Sequence, residues 1–104
     1  MRRSKAILGA TLLTLTTAPV HAAGDAVAGK AKSPVCIGCH GPDGNSTNPI
    51  WPKLAGQHAA YLVKALKDFR RGTRKYPTMN AMAKPLTDAD IENLAAYYAS
   101  QKQK

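Results

Sequence analysis

The stretch Cys36-Ile37-Gly38-Cys39-His40 decides how this chain folds. Two thiols at this spacing on a helical turn can each add to one vinyl group of a haem, and the histidine that follows can reach the iron. Gly38 has no side chain, which suits a close approach of the backbone to a porphyrin. The motif therefore predicts one covalently bound haem c, attached through Cys36 and Cys39, with His40 as the proximal iron ligand.

Two other uses of paired cysteines fit the surrounding sequence less well. A thioredoxin-type pair stands at the start of a helix that follows a strand, whereas residues 25–33 are rich in alanine, glycine and lysine and are predicted to be helical. A zinc site needs further cysteine or histidine ligands, and after residue 22 the sequence offers only His58 besides His40. An exported chain also favours haem attachment.

The first 22 residues have the layout of a secretory signal peptide. A start with three basic residues leads into a largely apolar stretch at 6–18 and a small-x-small pattern at 20–22. We expect cleavage between Ala22 and Ala23 and export to the periplasm. The alternative is a retained N-terminal anchor, but the apolar stretch is short for a membrane span and rich in threonine.

The remaining residues, 23–104, have the size of one small domain. Removing 22 of the 104 residues leaves 82, and removing the three basic residues lowers the net charge from +9 to +6. A domain of this size buries only about 60–65% of its unfolded surface, so it needs a disulfide, a metal or a large cofactor to complete its core. We expect the haem to fill that role. We expect no stable membrane insertion after signal cleavage, because no apolar run reaches the roughly 20 residues of a membrane span.

Three helices are predicted, and no segment shows the alternation of a strand, so the fold class is all-α. The first helix should run from about Asp25 to the haem motif. The second should cover about 57–71, where apolar residues recur at steps of three and four, and should stop at Gly72. The third should begin at a capping-box-like pair, Thr87 and Asp90. Residues 44–56 and 73–85 are predicted to be loops.

The sequence resembles the class I cytochromes c, close to the single-haem cytochromes c-553 and to either half of the diheme cytochromes c4. The resemblance rests on residues 23–25, 36–45, 52–57, 85–88 and 94–98. It implies a small cytochrome c fold with three main helices wrapped around one haem. It also implies an electron-transfer protein and not an enzyme. The sequence differs from the c4 cytochromes in having a single haem motif.

The second iron ligand must come from outside the motif, and Met79, Met82 and His58 are the candidates. In the class I cytochromes c, which this sequence resembles, the ligand methionine lies seven residues ahead of the leucine that precedes the C-terminal helix. Counted back from Leu86, that position is Met79. Met82, one helical turn further on, is the alternative ligand or a core filler. His58 is expected at the surface, at the start of a helix.

The resemblance implies two further positions. The carbonyl of Pro49, nine residues after His40, is expected to accept a hydrogen bond from the second ring nitrogen of that histidine. Pro49 can equally be a plain turn proline of the 48–50 loop. The first and last helices are expected to cross closely, with Gly29 against Tyr97.

A methionine on the iron closes the sixth coordination site and favours electron transfer. We therefore expect a one-electron carrier between redox partners of a respiratory or dehydrogenase chain. The alternatives are a cytochrome subunit of a larger dehydrogenase complex and a haem-based sensor of small gases with an open distal site.

Basic residues on the second helix suggest how partners are recognised. Lys64, Lys67 and Arg71 are spaced to share one helix face, with further basic residues just after them. This face either keeps the protein soluble or docks partners with acidic surfaces, such as an oxidase, reductase or dehydrogenase. Nucleic acid is not an expected partner, because export separates the two and the sequence has few aromatic residues for base stacking.

Overall fold

The computed structural model describes Ser4, residues 9–11, Leu13 and residues 24–104. The predicted signal peptide lies mostly outside the described residues, and the predicted cleavage site lies entirely outside them. Residues 24–104 form five helices and no strand, which confirms the all-α prediction. No helix in the described part of the chain is long and apolar enough to cross a membrane. The helices are α1 (Ala26–Lys32), α2 (Pro34–His40), α3 (Ala59–Arg71), α4 (Pro77–Ala83) and α5 (Asp88–Ala99).

The predicted first helix is divided in two at Ser33. Pro34 has no backbone N–H and its ring blocks the preceding turn, so a continuous helix cannot pass through it. The Ser33 N–H and hydroxyl both donate to the carbonyl of Lys30, and Pro34 then occupies the first turn of α2. The prediction of one helix is therefore corrected to two, and the haem motif has a short helix of its own.

The C-terminal end of α3 and the start of α5 are as predicted. Gly72 follows α3 with φ +81°, a left-handed conformation that glycine adopts without strain. The Thr87 hydroxyl accepts a hydrogen bond from the Asp90 N–H at 3.1 Å, and the Asp90 carboxylate accepts one from the Thr87 N–H at 3.0 Å. These reciprocal bonds form the capping box at the start of α5.

Helix α4 occupies part of the segment predicted to be loop. Pro77 stands at its first turn, where a fixed φ and a missing N–H are tolerated. The two alanines and two methionines among the residues that follow are good helix formers. The two candidate methionines therefore lie on a short helix and not in an extended loop.

The crossing of α1 and α5 is as close as expected. A Cβ at Gly29 would lie 1.9 Å from the Asn93 carbonyl oxygen and 2.8 Å from the Tyr97 Cβ, so only glycine fits there. The Asn93 side chain also accepts a hydrogen bond from the Asp25 N–H at 2.8 Å. Helix α5 is thereby fixed against the start of the domain.

The core lies between α3 and α5, and Ala83 of α4 is buried in the same cluster. Ile91 and Leu94 of α5 are almost fully buried, and Leu62 and Phe69 of α3 pack in the same cluster. Helix α2 packs on α1, whereas α4 packs on α3. Within residues 24–104, α2 and α4 make no substantial contact with each other. The haem motif and the candidate methionines thus lie on two separate parts of the molecule.

Candidate haem site

Helix α2 presents the three residues of the predicted haem attachment. Cys36 and Cys39 are free thiols, three residues apart on one helix, and both are half-buried. His40, the last residue of the same helix, is buried, with 7% of its surface exposed. Cys36 also packs against the core cluster. Local helix geometry is therefore enough to bring both thiols and the imidazole to one place.

The His40 ring is oriented by a backbone carbonyl, but not by the predicted one. Its Nδ1 lies 2.8 Å from the carbonyl oxygen of Pro52. A carbonyl only accepts, so Nδ1 carries the proton and Nε2 keeps a free lone pair for a metal.

The prediction for Pro49 is therefore wrong. The Trp51 N–H donates to the Asn48 carbonyl, so Pro49 is the second residue of a tight turn. It is exposed, as its alternative role of turn proline requires. A count from His40 could not anticipate that the turn would bring Pro52 back to the histidine.

The loop after the motif is fixed to α5. Tyr97 donates from its hydroxyl to the Pro42 carbonyl at 3.0 Å. Gly44 adopts φ +79°, and its carbonyl accepts from the N–H groups of Leu54 and Ala55 at 2.8 and 3.1 Å. A Cβ at Gly44 would lie 2.7 Å from the Tyr98 ring, so this position needs glycine for both space and backbone conformation. These contacts hold the Pro52 carbonyl where His40 meets it.

The surroundings of Cys36 are apolar, with one polar group. Burial raises the pKa of the Cys36 thiol, and the neighbouring Tyr98 hydroxyl offsets this only in part. Burial also raises the pKa of Tyr98, so this phenol is neutral at any physiological pH. The Tyr98 hydroxyl is buried and completes no hydrogen bond with the described residues. A buried hydroxyl that lacks a partner beside the thiol is a group that a further bound molecule with polar atoms could satisfy.

The three candidates for the second ligand lie in different settings. Met79 is half-buried and packs against the core cluster, which Cys36 also borders. Met82 is 42% exposed, which does not suit a core filler. His58 is exposed as the residue that precedes α3. Of the three, Met79 alone shares a cluster with the haem motif.

The donor set fits a haem better than a bare metal ion. The described residues contain no cluster of three or more histidine, cysteine or carboxylate side chains that could hold a metal. One imidazole with a free nitrogen, two thiols on the same helix and one thioether on a separate helix are the residues that a covalently attached haem requires. The residues present therefore fit the group.

Comparison with known proteins assigns the family. The model of the Cytochrome c family matches residues 22–102, and the chain belongs to that family. Cytochrome c4 of Thiocapsa roseopersicina is 58% identical over 75% of this chain and 41% of its own length. Cytochrome c-554(548) of Halomonas halodenitrificans is 48% identical over 77% of this chain and 100% of its own length.

Solved structures agree with this assignment. The crystal structure of reduced recombinant cytochrome c4 from Pseudomonas stutzeri matches with a TM-score of 0.75 and 48% identity. The match covers 79% of this chain and 48% of that chain. This chain thus spans about half the length of the c4 relatives that it matches. The predicted cytochrome c fold and the similarity to one half of a c4 cytochrome are confirmed, and the family implies a covalently bound haem c.

Sequence reasoning missed two residues around the site. Pro52 stood in a recognised stretch, and the turn signal at Asn48 and Pro49 could have shown that the chain reverses before it. Asn80 ties α4 to the end of α3, and no local pattern indicates this, because its partners lie six and eleven residues away.

Proposed function

We propose that this protein is a periplasmic mono-haem c-type cytochrome that carries single electrons between redox partners and is not an enzyme. The observation that carries the proposal is the position of His40. This buried residue lies on the helix that also presents Cys36 and Cys39, and its Nδ1 donates a hydrogen bond to the Pro52 carbonyl. This arrangement leaves Nε2 available for iron and fixes the plane of the ring. A bound haem c supplies an iron that gains and loses one electron.

On the proximal side, Cys36 and Cys39 attach the haem and His40 supplies the first ligand. The hydrogen bond to Pro52 holds the imidazole in one tautomer and makes it a better electron donor to the metal. The loop that carries Pro52 is itself bonded to α5, so the ring has little freedom to turn. A rigid ligand suits electron transfer, because little has to move when the charge on the metal changes.

On the distal side, Met79 is the proposed second ligand and Met82 the runner-up. Half-burial against the core cluster supports Met79, and the exposure of Met82 counts against it. A thioether on the iron raises the reduction potential and leaves no coordination site for small molecules. This closed site distinguishes a carrier from a gas sensor or from a haem enzyme.

The choice of ligand is tested with Met79→Ala and Met82→Ala, each produced with haem in an export-competent host. The wild-type protein should show the near-infrared sulfur-to-iron charge-transfer band when oxidised and should bind carbon monoxide poorly when reduced. Met79→Ala should lose the band and bind carbon monoxide readily, whereas Met82→Ala should behave as wild type. A wild-type protein that lacks the band and binds carbon monoxide freely would instead be a sensor with an open site.

The basic residues of α3 are the proposed docking surface for acidic partners. Lys64, Lys67 and Arg71 are joined there by Arg70 and Arg74, while Asp68 pairs with Lys64 at 2.5 Å and lies 3.8 Å from Arg71. Asp88 also pairs with Arg70 at 2.5 Å. Two carboxylates cannot neutralise five cations, so the surface keeps a positive charge that can steer a partner.

Steering is tested by the bimolecular rate of electron transfer as a function of ionic strength. The rate should fall as salt increases, and Lys67→Glu should reduce both the rate and its salt dependence. Lys30→Glu, which makes the same charge change on α1, away from α3, is the matched control and should have a smaller effect. A rate that stays constant or rises with salt would show that the basic surface of α3 does not dock an acidic partner.

Export and processing belong to the same proposal. Residues 1–22 are the proposed signal peptide and 23–104 the cytochrome c domain. Mass spectrometry of the protein from an export-competent host should give a chain that starts at Ala23 and carries one haem. An intact N-terminus on a membrane-bound product would favour the retained anchor. The role of subunit in a larger dehydrogenase complex stays a prediction, which co-purification of a partner from the native host would support.

A further inference from the structure

The side chain of Asn80 joins three separate points of the backbone on the distal side. Its Nδ2 donates to the carbonyl of Phe69 at 2.8 Å and to the carbonyl of Arg74 at 2.9 Å. Its Oδ1 accepts from the N–H of Tyr76 at 2.9 Å. Two carbonyls on one side and one N–H on the other allow a single orientation of the amide, so the assignment of nitrogen and oxygen is unambiguous.

Two of these partners, the Arg74 carbonyl and the Tyr76 N–H, have no other hydrogen bond among the described residues. The third, the Phe69 carbonyl in the last turn of α3, also accepts from the Gly72 N–H, at the longer distance of 3.2 Å. Tyr76 precedes α4, and its own side chain does not cap that helix. Arg74 belongs to the connection between the two helices. One side chain thus ties together the end of α3, the connection and the start of α4.

Helix α4 has little besides this tie and its packing on α3 to hold it in place. Seven residues are too few for a stable isolated helix in water. Among the helices of residues 24–104, α4 packs substantially only against α3. Its buried contacts are few, with Ala83 fully buried and Met79 half-buried.

We propose that Asn80 is a positioning residue that holds Met79 in place as the distal ligand, by fixing α4 to the end of α3. The inference rests on the proposed function, in which Met79 ligates the iron. Asn80 follows Met79 directly, and its hydrogen bonds leave the start of α4 no room to swing away from α3. Without them, the helix and its methionine can leave the site while α1, α2, α3 and α5 stay folded.

The chemistry of the amide makes substitution informative. Asn80→Asp has nearly the same shape and keeps an acceptor for Tyr76, but it places a carboxylate against the carbonyls of Phe69 and Arg74. Asn80→Ala removes all three bonds. Both variants should weaken the hold of α3 on α4. If only the shape of the Asn80 side chain mattered, Asn80→Asp would behave as wild type.

The matched control is Asn93→Ala. Asn93 is also an asparagine whose side chain fixes a helix, through the bond from the Asp25 N–H, but it does so on the other side of the molecule. Its loss should lower the melting temperature without affecting the distal ligand.

The experiment measures carbon monoxide binding by the reduced holoprotein and the near-infrared band of the oxidised holoprotein as temperature rises. Asn80→Ala and Asn80→Asp should increase the apparent affinity for carbon monoxide about tenfold or more and should lose the band well below the global unfolding temperature. Asn93→Ala should do neither. Unchanged affinity and an unchanged band in both Asn80 variants would overturn the inference.

Failure of the proposed function would look different. If the wild-type protein shows no band, Met79 is not the ligand, whatever Asn80 does. If the Asn80 variants do not fold, the inference is tested by hydrogen exchange of the wild-type holoprotein. The Tyr76 N–H should be protected, because the Asn80 side chain is its partner, and fast exchange there would overturn the inference.

Discussion

The proximal and distal sides of the haem site are built in opposite ways. On the proximal side, both thiols and the imidazole lie on one helix, and the loop behind them is bonded to α5 through Tyr97 and Gly44. On the distal side, Met79 lies on a short helix that packs on α3 alone and is tied to it by Asn80.

This difference assigns separate roles to the two sides: the proximal residues attach the haem, and the distal methionine sets the properties of the iron. The proximal residues lie on one helix, and the loop that follows it is bonded to α5, so we expect them to move only when the domain unfolds. The distal methionine is held by a few local bonds, so it can leave while the rest of the domain stays folded. The proximal side should therefore determine whether the protein folds, and the distal side should determine what the iron can bind.

The largest effect is expected when the group between the two sides is prevented from attaching. Cys36→Ala combined with Cys39→Ala should give a chain that has lost most of its helix content, because α2 and α4 make no substantial contact with each other and the domain is too small to close its core alone. Circular dichroism of the double variant in the far ultraviolet measures this. A spectrum like that of the native protein would show that the haem is not part of the core.

Alanine substitutions at two glycines, one on each side, allow a direct comparison of how tightly the two sides are packed. Gly44 and Gly72 have nearly equal positive φ values of +79° and +81°, so alanine would be strained at both. Only Gly44 is enclosed, since a Cβ there would also meet the Tyr98 ring and the Ala55 nitrogen, whereas at Gly72 nothing lies within 4 Å.

Alanine should therefore be costlier on the proximal side. Gly44→Ala should lower the free energy of unfolding by about 2–4 kcal/mol, and Gly72→Ala by about 1 kcal/mol. Denaturant titration of the two oxidised holoproteins measures the difference. Equal losses would mean that the proximal loop is no more tightly enclosed than the turn after α3.

The smallest effect concerns acid. Hydrogen bonds from Lys104 and then from Asn45 lower the pKa of Asp43 from 3.8 to about 2, and the guanidinium of Arg70 lowers the pKa of Asp88. A carboxylate whose pKa is lower in the folded state contributes stability above its unfolded pKa, and that stability is lost as pH falls through its folded pKa.

Replacing Asp43 should therefore matter less as the solution becomes more acidic. Asp43→Asn should have a slightly lower melting temperature than wild type at neutral pH, and the two should converge as pH falls from about 4 to about 2. Asp88→Asn, its counterpart on the distal side, should behave in the same direction. A constant difference at all pH values would mean that charge is not the reason for the stabilisation.

The residues that could be predicted from sequence are those whose roles depend on near neighbours. The spacing of Cys36, Cys39 and His40 follows from one turn of helix, and Gly72 and the Thr87 capping box follow from rules for helix ends. Pro34 belongs with these, because a proline inside a helical pattern is a local signal that the first helix should have been divided.

The residues that could not be predicted have partners far along the chain. A fixed count of nine residues chose Pro49 for the histidine, whereas the turn at 48–51 brings Pro52 to it, twelve residues away. Helix α4 was predicted to be a loop. Seven residues are too few for a stable isolated helix, and the bonds from Asn80 to the carbonyls of Phe69 and Arg74 hold it against the end of α3. The position of a residue in a family's sequence pattern does not show which segments lie close together in space.

By itself, the sequence determined the all-α class and predicted a covalently bound haem with His40 as its proximal ligand, since a five-residue motif and the spacing of apolar residues are set by the local geometry of a helix. Only the tertiary structure decided which carbonyl orients His40, which glycines admit no side chain, and how the helix of Met79 is held. Those features depend on distances between segments that are remote in sequence, and such distances exist only once α3 and α5 have packed.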